Sequence, residues 1–227
     1  MPEGLHIVVL GAGSIGCFIG GAWSAAGCSL SFVGRERIQA EIRQHGLTLS
    51  DHAGWRVQLT PDRVDFATKP AALARADIVA LCVKSSGTAA AAKQIATHAR
   101  KKPVVVSFQN GVGNADTLRS LLPKLEIVQA VVPYNVAHLG SGRFHKGTSG
   151  DLIVGEAEAT HDLAARIGDR PGRLRLSGDM PAVAWGKLLI NLNNAVNALS
   201  GETLLEQLGR RDYRRVVAAS ILEALDV

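Results

Sequence analysis

The chain is poor in cysteine, with three in 227 residues, and no two of them are spaced as a C-x-x-C pair. That excludes a small disulfide scaffold and gives no sign of a structural zinc or other metal site. Cys17, Cys28 and Cys82 lie inside apolar runs, as small buried hydrophobes do in a reducing compartment, so a cytoplasmic location is expected. Aromatic residues make up only 4% of the chain, which leaves little stacking platform for single-stranded nucleic acid. No apolar stretch approaches the roughly 18 residues of a membrane span. Nor does a basic N-terminal region lead into an apolar segment and cleavage site, so neither secretion nor a membrane partner is expected. Prolines number 8 against 24 glycines, and 47% of residues are apolar while 20% are charged. This balance is that of a chain folding around a sizeable core, and it excludes intrinsic disorder.

What the chain does have is a modest positive charge, formally +5 with a pI of about 9.4. The 25 basic residues are scattered and nearly matched by 20 acidic ones. The densest basic cluster, Arg210, Arg211, Arg214 and Arg215, falls at helical spacing beside Asp212. It reads as a solvated helix face, and no nucleic-acid partner is expected.

The run Leu5 to Leu10 is short and β-branched, and Gly11, Gly13 and Gly16 come directly after it, which predicts strand, turn and helix. Helix signals continue to Gly27, and a second apolar run, Leu30 to Val33, ends at Gly34. A βαβ unit is thus closed within about thirty residues. The alternation continues with a helix over Arg35 to His45, strands at Leu47 to Leu49 and Trp55 to Leu59, and a doubly buried strand at Asp77 to Val83. Next come a helix over Thr88 to Ala99, a strand at Pro103 to Phe108, a helix near Ala115 to Leu122 and a strand at Ile127 to Pro133. Arg143 to Gly155 reads as turn and hairpin, and Arg173 to Leu176 as a last strand. The whole predicts an α/β fold, a doubly wound and mostly parallel sheet. From Met180 onward only helix is predicted, so residues 1–178 form one domain and residues 179–227 the beginning of an all-α unit. That unit is too short for an independent core.

Gly11-Ala-Gly-Ser-Ile-Gly16 has the G-x-G-x-x-G spacing in the context the physics requires. Gly11 permits the tight turn, Gly13 lets the backbone approach a pyrophosphate, and Gly16 lets the helix lie close on the sheet. The next strand ends Val33-Gly-Arg-Glu-Arg37. Glu36 lies at about the distance at which an acid accepts ribose hydroxyls. The strand end itself is Gly34, however, and two arginines flank the acid, which favours the 2′-phosphate of NADP; the alternative is that Arg35 and Arg37 only begin a solvated helix. Two further segments fall at strand ends, where doubly wound folds place ligands. Lys84, in Cys82-Val-Lys-Ser-Ser-Gly87, is either an ordinary loop lysine or a partner for phosphate, carboxylate or nicotinamide. Asn110, in Ser107-Phe-Gln-Asn-Gly-Val-Gly113, either tolerates a left-handed turn or presents its amide to a substrate. Among the seven histidines, including His6, His138, His145 and His161, no metal-ligand spacing and no acidic partner is evident. Asp77, Asp151 and Glu156 read as turn or cap residues. No G-x-S-x-G elbow or G-K-[ST] loop occurs, which disfavours hydrolase and P-loop chemistry.

Within Trp185 to Ser200, Trp185, Leu188, Leu189, Leu192, Val196 and Leu199 share one helical stripe, and Lys187, Asn191 and Asn194 nearly the opposite one. Asparagine is a poor helix former, so four asparagines between 191 and 197 point to amides lining a polar cleft, with Lys187 as its cation.

Together, Gly11-Ala-Gly-Ser-Ile-Gly16, the arginine after the second strand, Val83-Lys84, Gln109-Asn-Gly-Val-Gly113 and Trp185-Gly-Lys-Leu-Leu-Ile-Asn191 resemble the ketopantoate reductases (2-dehydropantoate 2-reductases). The resemblance implies a Rossmann-like coenzyme domain and NADPH-dependent reduction of 2-dehydropantoate to pantoate, on the route to pantothenate and coenzyme A. It implies that Gly11, Gly13, Ser14, Ile15, Gly16 and Arg35 bind NADP, with Lys84 as the cofactor-side lysine. Asn110 would orient substrate and nicotinamide, Lys187 would be the catalytic lysine, and Asn191 a substrate-contacting amide. A second substrate asparagine of the family falls here on Ala195, with Asn194 one residue earlier. The family's helical C-terminal domain is also much longer than the stretch after Gly178, so the chain reads as a fragment or a shortened homologue. Reduction of another small 2-keto acid, a non-catalytic NADP-binding module and a dehydrogenase of the 3-hydroxyacid or glycerol-phosphate type remain as alternatives. Apolar surface left uncovered on the 185–199 helix and on Val216 to Leu225 leads to the expectation of a homodimer.

Overall fold

A computed structural model describes residues 5–227. Two compact units are present, Met1–Met180 and Pro181–Val227.

The first unit is built on β1 (His6–Leu10), which is apolar on both faces because both are covered. Ile7 and Val9 enter one core, while Val8 and Leu10 enter the other. The chain then runs through α1 (Ser14–Ala25), β2 (Ser29–Val33), α2 (Glu36–His45), β3 (Leu47–Asp51), β4 (Arg56–Leu59), β5 (Asp65–Ala67), β6 (Ile78–Leu81), α3 (Thr88–His98), β7 (Val104–Ser107), α4 (Asn114–Leu121) and β8 (Ile127–Val131). It continues through β9 (Val136–His138), β10 (Arg143–Lys146), β11 (Leu152–Gly155), α5 (Glu158–Ile167) and β12 (Leu174–Ser177).

The main sheet has the order β12-β11-β8-β7-β6-β1-β2-β5. Its strands from β8 to β5 are parallel, whereas β11 runs antiparallel to β8 and parallel to β12. Residues of α1, α2 and α5 line one core and residues of α3 and α4 the other, so the sheet is doubly wound as expected.

A second, four-stranded sheet, β4-β3-β10-β9, stands apart from the main one. It corrects the reading of Arg143 to Gly155 as a hairpin. β10 pairs with β9 and with the distant β3, while β11 joins the main sheet. Helix α1 packs against both sheets, which accounts for its buried run from Gly16 to Trp23. A Cβ at Gly20 would lie 2.6 Å from the Phe32 ring on one side, and one at Gly21 would lie 2.7 Å from Leu49 Cδ1 on the other. Helix α5 has no counterpart in the sequence reading; it buries Leu163 and Ile167 at i, i+4 spacing.

The expectation that the histidines lack acidic partners is also corrected, because His138 Nε2 lies 2.7 Å from Glu41 Oε2. The two residues are 97 apart in sequence, a separation that no local pattern reveals.

The second unit carries the rest of α6 (Met180–Ser200), then α7 (Leu204–Gly209) and α8 (Arg211–Leu225). A reciprocal capping box starts α7: Glu206 N–H donates to Thr203 Oγ1, and Thr203 N–H donates to Glu206 Oε2. No described helix is long and apolar enough to cross a membrane.

Candidate functional site

In the main sheet the neighbours β7, β6, β1 and β2 are parallel, so their carboxyl ends lie along one edge. That edge carries Asn110, Lys84, the glycine turn and Arg35, in this order, and the structure therefore brings together every candidate predicted for the first domain.

The three motif glycines are there for three different reasons. Gly11 has φ of +98°, and a Cβ on it would fall 2.7 Å from Val83 N. Both Gly11 N and Ala12 N donate to Val33 O, at 3.0 and 2.9 Å, which ties the turn to the end of β2. A Cβ at Gly16 would meet Gly11 O at 2.7 Å and Val9 Cγ1 at 3.0 Å, so this glycine sets the close approach of α1 to the sheet. Gly13 is exposed, and a Cβ there would meet nothing within 4 Å. No side chain caps α1, whose first ladder bond runs from Cys17 N to Gly13 O. The amides of Ser14, Ile15 and Gly16 are the open donors of the first turn. Ile15 contributes only that amide, because its side chain packs on the core. Open space above uncapped, positively polarised amides fits the pyrophosphate of a dinucleotide.

At the end of β2, Gly34 cannot be replaced by an acid without displacing the core. Its Cβ would lie 2.7 Å from Phe66 Cζ and 2.9 Å from Ala12 Cβ. The arginines on either side of Glu36 differ in their engagement. Arg37 Nη1 is 2.8 Å from Glu41 Oε1, whereas Arg35 is exposed and makes no ion pair with described residues.

At the ends of β6 and β7, Lys84 and Asn110 lie in loops at the same edge, and Asn110 is exposed. The left-handed position of the Asn-Gly turn is Gly111, with φ of +96°; Asn110 does not adopt it. Gln109, by contrast, is 7% exposed and donates from Nε2 to Thr88 Oγ1 at 2.8 Å. Asn114 Nδ2 donates to Asn110 O at 2.7 Å and to Ser85 Oγ at 3.0 Å. Neither Thr88 nor Asn114 was singled out by the sequence, although Asn114 stands four residues after Asn110. Cys82, at the base of this edge, has its thiol pushed up to about 12 by burial, so it serves as packing next to the turn.

A cavity of about 280 Å³ in this unit is lined by Tyr134, Lys146, Asp151, Arg170 and Arg173 among others. None of the predicted site residues lines it.

In the second unit Lys187, Asn191 and Asn194 occur at i, i+4 and i+7 on α6, one face of the helix. None of the three side chains makes a hydrogen bond or ion pair with described residues. The idea that all four asparagines line a cleft is corrected, since two of them are used inside the unit. Asn193 Oδ1 accepts from Gln207 Nε2 at 2.7 Å, and Asn197 Nδ2 donates to Glu202 O at 3.2 Å.

Comparison with known proteins gives consistent matches. The protein family described as ketopantoate reductase PanE/ApbA matches residues 7–159. The 2-dehydropantoate 2-reductase of Halobacterium salinarum is 27% identical over 203 residues, covering 86% of this chain and 66% of that protein. That of Archaeoglobus fulgidus is 28% identical over 205 residues, covering 86% and 63%. The crystal structure of a PanE/ApbA family ketopantoate reductase from Ralstonia eutropha JMP134 superposes with a TM-score of 0.88 at 29% identity, over 98% of this chain and 73% of that one. The chain therefore spans a little under two thirds of the length of the two archaeal relatives. The match over residues 7–159, together with the parallel edge that carries the glycine turn, establishes that the chain belongs to the PanE/ApbA ketopantoate reductase family.

Proposed function

We propose that the protein reduces the ketone of 2-dehydropantoate, or of another small branched 2-keto acid, to the alcohol with NADPH. The observation that carries this reading is the uncapped start of α1 at Gly13, open to solvent, with the unpaired Arg35 beside it at the end of β2. The amides of Ser14 to Gly16 would hold the pyrophosphate. Arg35 would hold the 2′-phosphate, the role for which a planar guanidinium is suited. Bound NADPH supplies the hydride that the ketone carbon accepts. Lys84 and Asn110 fix the nicotinamide end of the site, and Asn110 also orients the substrate. Lys187 Nζ donates the proton that the ketone oxygen takes up and offsets the charge that develops there, while Asn191 and Asn194 hydrogen-bond the substrate. In this reading residues 1–178 hold the coenzyme, and residues 179–227 begin the substrate and dimerisation domain.

The test mixes the chain with NADPH and 2-dehydropantoate and monitors the nicotinamide absorbance. Oxidation that Lys187→Ala abolishes supports the reading. Binding without oxidation supports a coenzyme-binding module instead. Faster turnover of a different carbonyl compound would move the substrate class.

The second unit also supports self-association as a homodimer. Ile190, Leu199, Leu205, Leu222 and Leu225 are all more than half exposed. Solution scattering showing a monodisperse monomer would overturn this. The three unpaired thiols fit the reducing cytoplasm.

A further inference from the structure

The loops after β6 and β7 carry Lys84 and Asn110, and side chains join the two loops through donors and acceptors that form one consistent chain. Ser107 Oγ donates to Gln109 Oε1 at 3.1 Å, and Gln109 Nε2 donates to Thr88 Oγ1 at 2.8 Å. Thr88 Oγ1 in turn donates to Ser85 O at 2.8 Å. From the other side, Asn114 spends one amide hydrogen across the gap, on Ser85 Oγ, and the other within its own loop, on Asn110 O. Ser107, Thr88 and Gln109 are each less than a tenth exposed, so water does not compete for the two bonds that link them, whereas the bonds of Asn114 are exposed. Thr88 Oγ1 also lies 3.3 Å from Asn114 Oδ1, a second acceptor on the other loop, and loss of a buried member leaves a polar group unmatched.

We propose that Thr88, Gln109 and Asn114 are positioning residues that lock the Lys84 loop to the Asn110 loop and so preset the nicotinamide half of the coenzyme site. The inference rests on the reading of Lys84 and Asn110 as coenzyme-side groups. The brace itself is a property of the chain that can be measured without coenzyme. Asn114 touches the carbonyl of Asn110 and the hydroxyl next to Lys84, which makes its effect on either candidate indirect. Gln109 and Thr88 act one step further back, by fixing the turn that begins at Lys84 and closes from Gly87 N to Lys84 O at 2.8 Å.

Amide hydrogen exchange on Asn114→Ala and Thr88→Val decides whether the loops are coupled. In Asn114→Ala, exchange should quicken at least fivefold in residues 85–88, although the substitution lies beyond β7. An unchanged rate there overturns the brace, whatever the coenzyme does. Binding then reads the consequence. Asn114→Ala and Gln109→Leu should weaken NADPH at least tenfold but leave 2′-phospho-ADP-ribose, which lacks the nicotinamide, within twofold; equal losses of both overturn the positioning role. Thr88→Ser keeps the hydroxyl and should restore the wild-type ratio, which a loss of packing would not do. If the wild-type chain binds neither compound, the coenzyme reading fails, and the exchange measurement still decides the brace.

Discussion

Gln207, fully buried on α7, donates from Nε2 to Asn193 Oδ1 on α6 at 2.7 Å, and its own Oε1 has no partner among the described residues. An amide half satisfied in a buried position is sensitive to what remains of its bonding. Asn193→Ala should therefore destabilise the chain by about 1–3 kcal/mol. Asn193→Ala combined with Gln207→Leu should cost less than the sum of the two single changes, because the second removes the orphaned groups along with the bond. Chemical denaturation of the four species gives the coupling, and strict additivity would show that the contact contributes nothing.

The glycines of the turn should separate stability from binding. Gly11→Ala places a side chain at positive φ and against Val83, with an expected loss of about 2–5 kcal/mol. Gly13→Ala has open space and an extended backbone, so its stability should change by less than about 1 kcal/mol. NADPH affinity should nevertheless fall by roughly tenfold or more, since the methyl would occupy the approach proposed for the pyrophosphate. Thermal melts and coenzyme titrations of the two variants check the contrast.

Arg35 and Arg37 make a second matched pair. Arg35→Ala should lower NADPH affinity by about 10- to 100-fold, the value of a charge-assisted contact of about 1.5–3 kcal/mol. NADH affinity should hardly change. Arg37→Ala breaks a surface ion pair with Glu41 and should alter neither. Equal effects of the two substitutions in coenzyme titrations would place the 2′-phosphate elsewhere.

Asp151 should contribute to acid sensitivity, beside Glu41 and Asp77, whose carboxyls are also held low. The Arg173 hydrogen bond holds the Asp151 carboxyl below the ordinary carboxylate range; burial opposes this, and the Arg175 hydrogen bond adds to it. A folded-state value below the unfolded one means that the unfolded chain takes up the proton first. The stabilisation is therefore complete above the unfolded value of about 3.9 and is lost as pH falls through the folded one. Denaturation midpoints should drop from about pH 4 downward in the wild type and more shallowly in Asp151→Asn.

The legibility of each feature depends on its range along the chain. β1, β2, β6 and β7 are apolar runs closed by glycine or proline signals, and a parallel sheet with its ligand edge can be derived from them without long-range information. The small sheet cannot, because β3 and β10 pair across some ninety residues and β9 is three residues long. Lys146 and Leu152, separated by a glycine-bearing turn, look like the two sides of a hairpin and enter different sheets. The asparagines of α6 show the same limit. Spacing groups Asn191 and Asn194 with Lys187, but only the position of α7 shows that Asn193 belongs to Gln207. Gln109 and Asn114 are visible as polar residues near a strand end, whereas their partners across the loop are not.

The crowding at Gly34 also bears on how the end of β2 could change over evolutionary time. An aspartate at that position would have to displace the Phe66 ring, which stacks on Phe32 at 5.8 Å, and the Ala12 methyl as well. An acid at the end of β2 would thus require concerted replacement of interior residues on β5 and in the turn between β1 and α1. Single substitutions would pass through destabilised intermediates, so the hydrophobic interior buffers this strand end against acquiring an acid.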